Sequence, residues 1–336
     1  MALDHIGIHD NFFELGGHSL LSVQLVSHIE EKIHFQLSLR KFLAAPTIAG
    51  CVQLIKESRS IPNESSVSRL VSMQSEGAGH PLFLVHEFFG DVSCYSALAE
   101  CLGASRPVFG LQAPNLFSLT NSNIGFTSLE KLSADCADEI RRSHPEGPCF
   151  IGGWSFGGNL AFAIAQQLLR SGHKAHLMLF DATPFATLRQ LSTGGLPLLA
   201  FLTEQYSKAA GLKEMENAGT TWGAASPELA LLQRLKRMRL LPDHVGISEL
   251  ALIIEEADRR QRLVTEYQPP LYPAEITLFS AAGQMAAPAR NERIAGWESV
   301  SERSLRIYPL TGDHWTILQE PHVGMLAEKV NEYLAV

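Results

Sequence analysis

The chain has 336 residues, 46% of them hydrophobic and 18% charged, with a formal net charge of −8. That is enough for one large domain or a large and a small one. The acidic balance excludes phosphate backbones as the default partner, and the absence of any apolar run of about 18 residues excludes a spanning segment. No basic flank followed by an apolar core opens the chain, so no signal peptide is expected and a cytoplasmic location is. The five cysteines (Cys51, Cys94, Cys101, Cys136, Cys149) include no CxxC pair and read as buried small hydrophobes in a reducing compartment. Histidine pairs such as His5 with His9, or His173 with His176, lack a surrounding Cys or carboxylate cluster, so no metal site is expected.

The first element follows "DNFFELGGHSLLSVQLV", residues 10–26. Two glycines free the backbone just before Ser19, and Leu21, Leu25 and Ile29, with Val26 and Ile33 on the adjoining row, form a helical stripe. Ser38 can cap a short helix through Leu43, stopped by Pro46. Thr47 can cap another carrying Ile48, Cys51, Val52 and Ile55. Three helices in under sixty residues make a small helical unit. "ESRSIPNESSVS", residues 57–68, is polar, contains Pro62 and reads as a linker.

Beyond it, short apolar runs alternate with helical stretches. "LFLVH", "PVFGL", "CFIGG", "AHLMLF", "EITLFS" and "SLRIYPL" are strand candidates, several apolar almost throughout, as strands covered on both faces are. Helices are expected at 128–143, 156–171 and 322–334, giving a mostly parallel α/β sheet. Residues 184–266 hold no convincing strand but do hold helical stretches, and so read as a lid inserted after a strand end.

Within that sheet, Gly153-Trp154-Ser155-Phe156-Gly157 is a GxSxG between a strand and a helix, a turn that lifts a serine hydroxyl out of the sheet. A serine needs a histidine base and a carboxylate to orient it, in chain order Ser, Asp or Glu, His. Asp181 ends "AHLMLFD", and His314 lies in "LTGDHWTIL" after the last strand. His176 falls inside a strand, His322 opens the last helix, and Asp313 is the chain neighbour of His314, so these three fit the roles less well. Charge developing on the substrate oxygen calls for two backbone N–H groups. One is Phe156, directly after the nucleophile; the other is expected in "VHEFFGD" at Phe88, with its neighbour Phe89 not separable from it by sequence.

These residues also carry a resemblance. The "DNFFELGGHSLLSVQLV" stretch resembles the peptidyl carrier domain of nonribosomal peptide synthetases, and "GGWSFGGNLAFAIAQQLL", "LMLFDATP" and "LTGDHWTIL" resemble the type I thioesterase domain that follows it. Together they cover nearly the entire chain. The resemblance implies a small all-α carrier bundle over 1–58, a linker over 59–70, and an α/β-hydrolase thioesterase domain over 71–336 with a lid at about 184–266. It implies 4'-phosphopantetheine attached to Ser19, its phosphate near a helix N-terminus, and release of a peptidyl thioester through Ser155, by hydrolysis or macrocyclisation. Its implied partners are the peptidyl thioester, upstream condensation and adenylation domains, and a phosphopantetheinyl transferase. Such carriers have a first helix before the FFELGG stretch, where this sequence has only "MALDHIGIH", so an incomplete and marginal carrier bundle is expected. These thioesterases often carry proline and glycine where this chain has Glu87, Phe88 and Phe89, bulky groups expected to narrow the acyl entrance. Two other readings use the same residues: a free-standing α/β esterase whose N-terminal helices bind a partner, and a catalytically weak carrier or docking module.

Overall fold

The computed structural model describes residues 6–16, 21–22, 25–26, 28–29, 42, 45–58, 69–118, 128–190, 193–209, 226–281 and 287–335. Ser19 and Ser38 lie outside them. In the N-terminal part, α1 (Ile48–Ser58) begins where expected: Thr47 Oγ1 accepts from the N–H of Gly50 at 3.0 Å. Phe42 and Cys51 are buried there, with Phe12, Phe13, Leu25, Val26, Ile29 and Leu54 packed around them. Phe12 meets both Phe13 and Phe42 edge-on at about 5 Å.

The remainder is built on a seven-stranded sheet. In chain order the elements are β1 (Leu70–Gln74), β2 (Leu82–Val85), α2 (Ser96–Leu102), β3 (Val108–Leu111), α3 (Leu129–Ser143), β4 (Cys149–Trp154), α4 (Phe156–Arg170) and β5 (Ala175–Phe180). Four helices follow: α5 (Phe185–Gln190), α6 (Gly195–Ala209), α7 (Pro227–Arg237) and α8 (Ile247–Glu266). The chain closes with β6 (Ile276–Ala281), α9 (Ala287–Glu298), β7 (Arg306–Leu310) and α10 (Val323–Leu334). The spatial order is β1-β3-β2-β4-β5-β6-β7, with every pair parallel except the edge pair β1–β3.

The α/β reading holds, and the six expected strands are β2 to β7 within two residues at each end. The sequence pattern missed β1, whose mixed "LVSMQ" shows neither an apolar run nor clean alternation, because it pairs on one side only. It also missed α2 and α9. Strands β2, β4 and β6 are buried at every residue, as expected where helices cover both faces, although β6 carries two buried hydroxyls, Thr277 and Ser280. One face packs against α3, α4 and the inserted helices, the other against α2 and α10. Cys101 is exposed, so the five cysteines are not uniformly core residues, whereas Cys51, Cys136 and Cys149 are. Among the described residues no helix is long and apolar enough to cross a membrane.

The topology fixes where a site can form. Leaving β2 the chain goes to β3 on one side, and β4 lies on the other, which opens a crevice at the carboxyl ends of β2 and β4. The inserted helices between β5 and β6 stand over that end. Their packing is close: a Cβ on Gly195, at the start of α6, would lie 2.1 Å from the Ile254 carbonyl of α8. Trp297 of α9 is fully buried against Phe162 and Phe185 and donates its indole N–H to the Ala182 carbonyl at 2.9 Å. Replacing it with phenylalanine leaves that carbonyl without its donor and a gap beside it. Trp297→Phe is expected to lower unfolding stability by about 1–3 kcal/mol in urea titrations, and a loss within error of zero would contradict this account of the packing.

Candidate active site

Ser155 stands between β4 and α4 with φ 55° and ψ −124°, a conformation a side-chain-bearing residue rarely adopts. The flanking glycines make it possible. A Cβ on Gly153 would sit 2.1 Å from the Gly157 carbonyl oxygen, and one on Gly157 would sit 2.5 Å from the Val85 carbonyl oxygen. Tyr95 braces the same corner: its hydroxyl donates to the Val85 carbonyl and accepts from the N–H of Trp154, both at 2.8 Å. Sequence reading gave no sign of Tyr95, because its partners lie at the ends of two other strands.

The structure brings the three expected residues together. His314 Nε2 lies 3.0 Å from Ser155 Oγ, and His314 Nδ1 lies 2.9 Å from Asp181 Oδ2. With the proton on Nδ1, the ring donates to Asp181 and its Nε2 accepts from the serine hydroxyl. The ring packs on Trp154, whose indole N–H donates to the His314 carbonyl at 2.8 Å. Asp181 is fully buried and also accepts from the Ala281 N–H at 2.9 Å and from Arg293. Burial works to raise its carboxyl, but His314, Arg293 and the Ala281 N–H outweigh it and hold the group below the usual carboxylate range. Arg293, on α9, carried no sequence signal.

The other candidates sit elsewhere. His176 is exposed within β5, His322 bonds Thr311, and the Asp313 carboxylate accepts from Trp315 and Thr316 in its own turn. His86 is buried behind Glu87, and burial pushes its ring down to about 3, so it is neutral.

The loop after β2 separates Phe88 from Phe89. Within Glu87–Asp91, among the described residues, every backbone N–H and C=O has a partner except the N–H of Phe88. The N–H of Phe89 is taken by Glu87 Oε2 at 2.9 Å. The peptide ahead of Phe88 is fixed because the Glu87 carbonyl accepts from Gly90 at 3.0 Å. Among the described residues the N–H of Phe156, in the first turn of α4, has no backbone acceptor either. Both phenylalanine rings of the loop are 8% exposed and belong to the core, packing on Phe156, Phe117 and Tyr206.

Glu87 itself is 3% exposed, and its oxygens accept from Phe89, Asp91 and the Tyr206 hydroxyl, the last at 3.0 Å from α6. Burial, and then the neighbouring Asp91, push its carboxyl up to about 7, against the pull of these donors.

Comparison with known proteins gives two family matches: "Thioesterase domain" over residues 80–334 and "Phosphopantetheine attachment site" over residues 1–55. A dimodular nonribosomal peptide synthase of Bacillus subtilis (strain 168) is 36% identical over 205 residues, covering 60% of this chain and 8% of that protein. Indigoidine synthase of Dickeya dadantii (strain 3937) is 32% identical over 336 residues, covering 97% of this chain and 22% of that protein. Among solved structures, the four-domain nonribosomal peptide synthetase holo-AB3403 is similar with a TM-score of 0.70 at 25% identity, covering 98% of this chain and 25% of that one. The NocB thioesterase domain, solved as a covalent complex with a fluorophosphonate, shares the fold with a TM-score of 0.51 at 24% identity over 77% of this chain and 96% of that one. The chain spans less than a tenth of the length of the first three curated relatives.

Because folding raises the Glu87 carboxyl from its ordinary 4.5 to about 7, its contribution to stability is complete below pH 4.5 and is lost as pH rises through 7. The Tyr206 hydroxyl offsets part of that loss by donating to the charged form. Tyr206→Phe is thus expected to destabilise by about 1–2 kcal/mol near pH 8 and by less near pH 5, measured by urea unfolding at the two pH values. Equal losses at both would contradict the assignment.

Proposed function

From the premise that this chain belongs to the thioesterase domain family and carries a phosphopantetheine attachment domain ahead of it, we propose that it releases a peptidyl chain held as a thioester on Ser19, through Ser155, Asp181 and His314. The observation that carries the reading is the unbroken hydrogen-bond chain Ser155–His314–Asp181, at 3.0 and 2.9 Å, beside two N–H groups, at Phe88 and Phe156, that have no backbone acceptor among the described residues.

Around Ser19 the described residues fit an attachment point. The turn at 12–16 closes with the Gly16 N–H on the Phe13 carbonyl at 2.9 Å, Gly16 has φ 86°, and residues 21 and 22 are already helical. In the sequence Ser19 comes three residues after Gly16 and two before Leu21, and a helix N-terminus favours a phosphate. When bound, phosphopantetheine supplies the thiol that holds the peptide and a long arm that delivers it. A phosphopantetheinyl transferase would install it, and upstream condensation and adenylation domains would load it.

The residues of the chain then act in order. His314 Nε2 takes the proton of Ser155 Oγ as that oxygen attacks the thioester carbonyl carbon. The N–H groups of Phe156 and Phe88 meet the charge developing on the carbonyl oxygen. Asp181 stabilises the protonated ring and holds its orientation. His314 returns the proton to the departing sulfur, leaving the peptide as an ester on Ser155. His314 next takes a proton from water, or from an amine or hydroxyl of the peptide, as that oxygen or nitrogen attacks the ester carbonyl carbon; the bond to Ser155 Oγ then breaks, Oγ takes the proton back from His314, and the acid or the ring leaves. Tethering makes delivery intramolecular, so the linker sets the effective concentration; it ends before the residue 70 expected from sequence, because Leu70 already pairs with Leu111 in β1. The helical insertion serves as a lid that limits water at the ester.

Two substitutions separate the two hydroxyls. Ser155→Ala is expected to abolish labelling by a fluorophosphonate and to reduce thioester turnover at least roughly 10³-fold. Ser19→Ala is expected to remove the mass gain produced by a phosphopantetheinyl transferase with coenzyme A while leaving Ser155 labelling intact. A wild-type chain that gains no mass would favour the esterase reading, and one whose Ser155 does not label would favour the docking-module reading.

A further inference from the structure

Of the backbone groups in Glu87–Asp91, most find partners in the loop itself or in residues 113–116, where Ala113 and Leu116 donate to Gly90 and Phe89. The carbonyl of Phe88 is different. Its donor is Arg260 Nη1, at 2.8 Å, from α8 of the helical insertion, 172 residues away. Arg260 Nη2 reaches the Pro114 carbonyl at 2.8 Å, so a single guanidinium joins the loops that follow β2 and β3. Arg260 is 2% exposed, and Glu256, one turn earlier on α8, accepts from its Nε at 3.0 Å. A buried arginine costs several kcal/mol of desolvation unless paired. Here one partner is a carboxylate, and the other two are carbonyls of the loops that flank the crevice.

We propose that Arg260 is a positioning residue for release: by fixing the Phe88–Phe89 peptide from the insertion, it holds the free N–H of Phe88 in place to receive the charge on the substrate oxygen. This inference rests on the release reading above and deepens it. The Phe88–Phe89 peptide unit is gripped at both ends, its carbonyl by Arg260 and its N–H by Glu87 Oε2. Packing does not do this alone, since a cavity of about 60 Å³ bounded by Glu87, Phe89, Thr203 and Tyr206 lies beside the loop. Without the guanidinium the Phe88 carbonyl is buried and unpaired, and rotation of that peptide toward another donor shifts the adjoining N–H of Phe88. An oxyanion donor is worth about 10²–10³ in turnover only while its geometry is held. Arg260 donates to backbone carbonyls and to Glu256 and is closed off from solvent, so it does not contribute to substrate affinity.

The test is steady-state hydrolysis of an acyl-N-acetylcysteamine thioester by the full chain, with active sites counted by fluorophosphonate labelling. Arg260→Met and the charge-neutral double variant Glu256→Gln/Arg260→Met are expected to lose roughly 10- to 100-fold in kcat per labelled site, with KM within about 2-fold of wild type. Arg260→Lys, which keeps one donor direction but not the fork, is expected to fall between. A purely structural role would lower the labelled fraction and leave kcat per site unchanged, and that result in either methionine variant overturns the proposal. If the single variant does not fold, the double variant, which buries no unpaired charge, carries the test. A wild-type chain that neither labels nor turns over would overturn the release reading as well, whereas an active wild type with unaffected variants would overturn the positioning role alone.

Discussion

Everything at the candidate site depends on one close approach of backbone to backbone. Gly153 and Gly157 meet with no room for a Cβ between them, and that contact forces Ser155 into φ 55° at the mouth of the crevice. A side chain at either glycine would push α4 away from β4 and from the end of β2. The hydroxyl would then lose its distance to His314 and the first N–H groups of α4 their relation to the β2 loop. The rest of the site reads as support for this corner: Tyr95 joins the ends of β2 and β4, and the Trp154 indole holds the backbone of His314. Asp181, also at positive φ (48°), is tied to β6 through the Ala281 N–H and to α9 through Arg293.

The second constraint comes from the helical insertion. It does not simply cover the strand ends. Tyr206 of α6 and Arg260 of α8 both bond the loop after β2, one through the Glu87 carboxyl and one through the Phe88 carbonyl. Polar bonds of this kind are directional, so the insertion defines the loop's conformation as well as its surroundings. This ties any movement of the insertion to the donor geometry at Phe88. Gly90, at φ 95° and with no room for a Cβ against the Pro114 carbonyl, shapes one end of this loop by backbone preference; at Glu87, Phe88 and Phe89 the chain adds a buried carboxyl, two packed rings and an arginine brought from far along the sequence.

That contrast explains what the sequence made legible. Ser155 announces itself because strand, glycine, serine, glycine and helix are consecutive, and Asp181 and His314 follow because a nucleophile elbow constrains which strand ends supply them. Strands buried on both faces are legible because burial makes them mostly apolar, with Thr277 and Ser280 the exceptions in β6. The edge strand β1 is not, since one paired side places little demand on "LVSMQ". Phe88 and Phe89 could not be told apart from sequence, because what separates them is the side chain of Glu87 folding back onto one N–H and not the other. Arg260 and Arg293 were invisible for a related reason: each looks like an ordinary helix cation, and its role exists only through a partner more than a hundred residues away.

The central claim is that one hydroxyl carries the peptide and another takes it. The most direct measurement loads a peptidyl-pantetheine onto Ser19 enzymatically, quenches at intervals and locates the peptidyl mass by digestion and mass spectrometry. The account predicts that the mass leaves the fragment containing Ser19, appears transiently on the fragment containing Ser155, and is then lost as free product. A peptidyl group that is released from Ser19 at the normal rate in a Ser155→Ala chain, never having passed through residue 155, would contradict it.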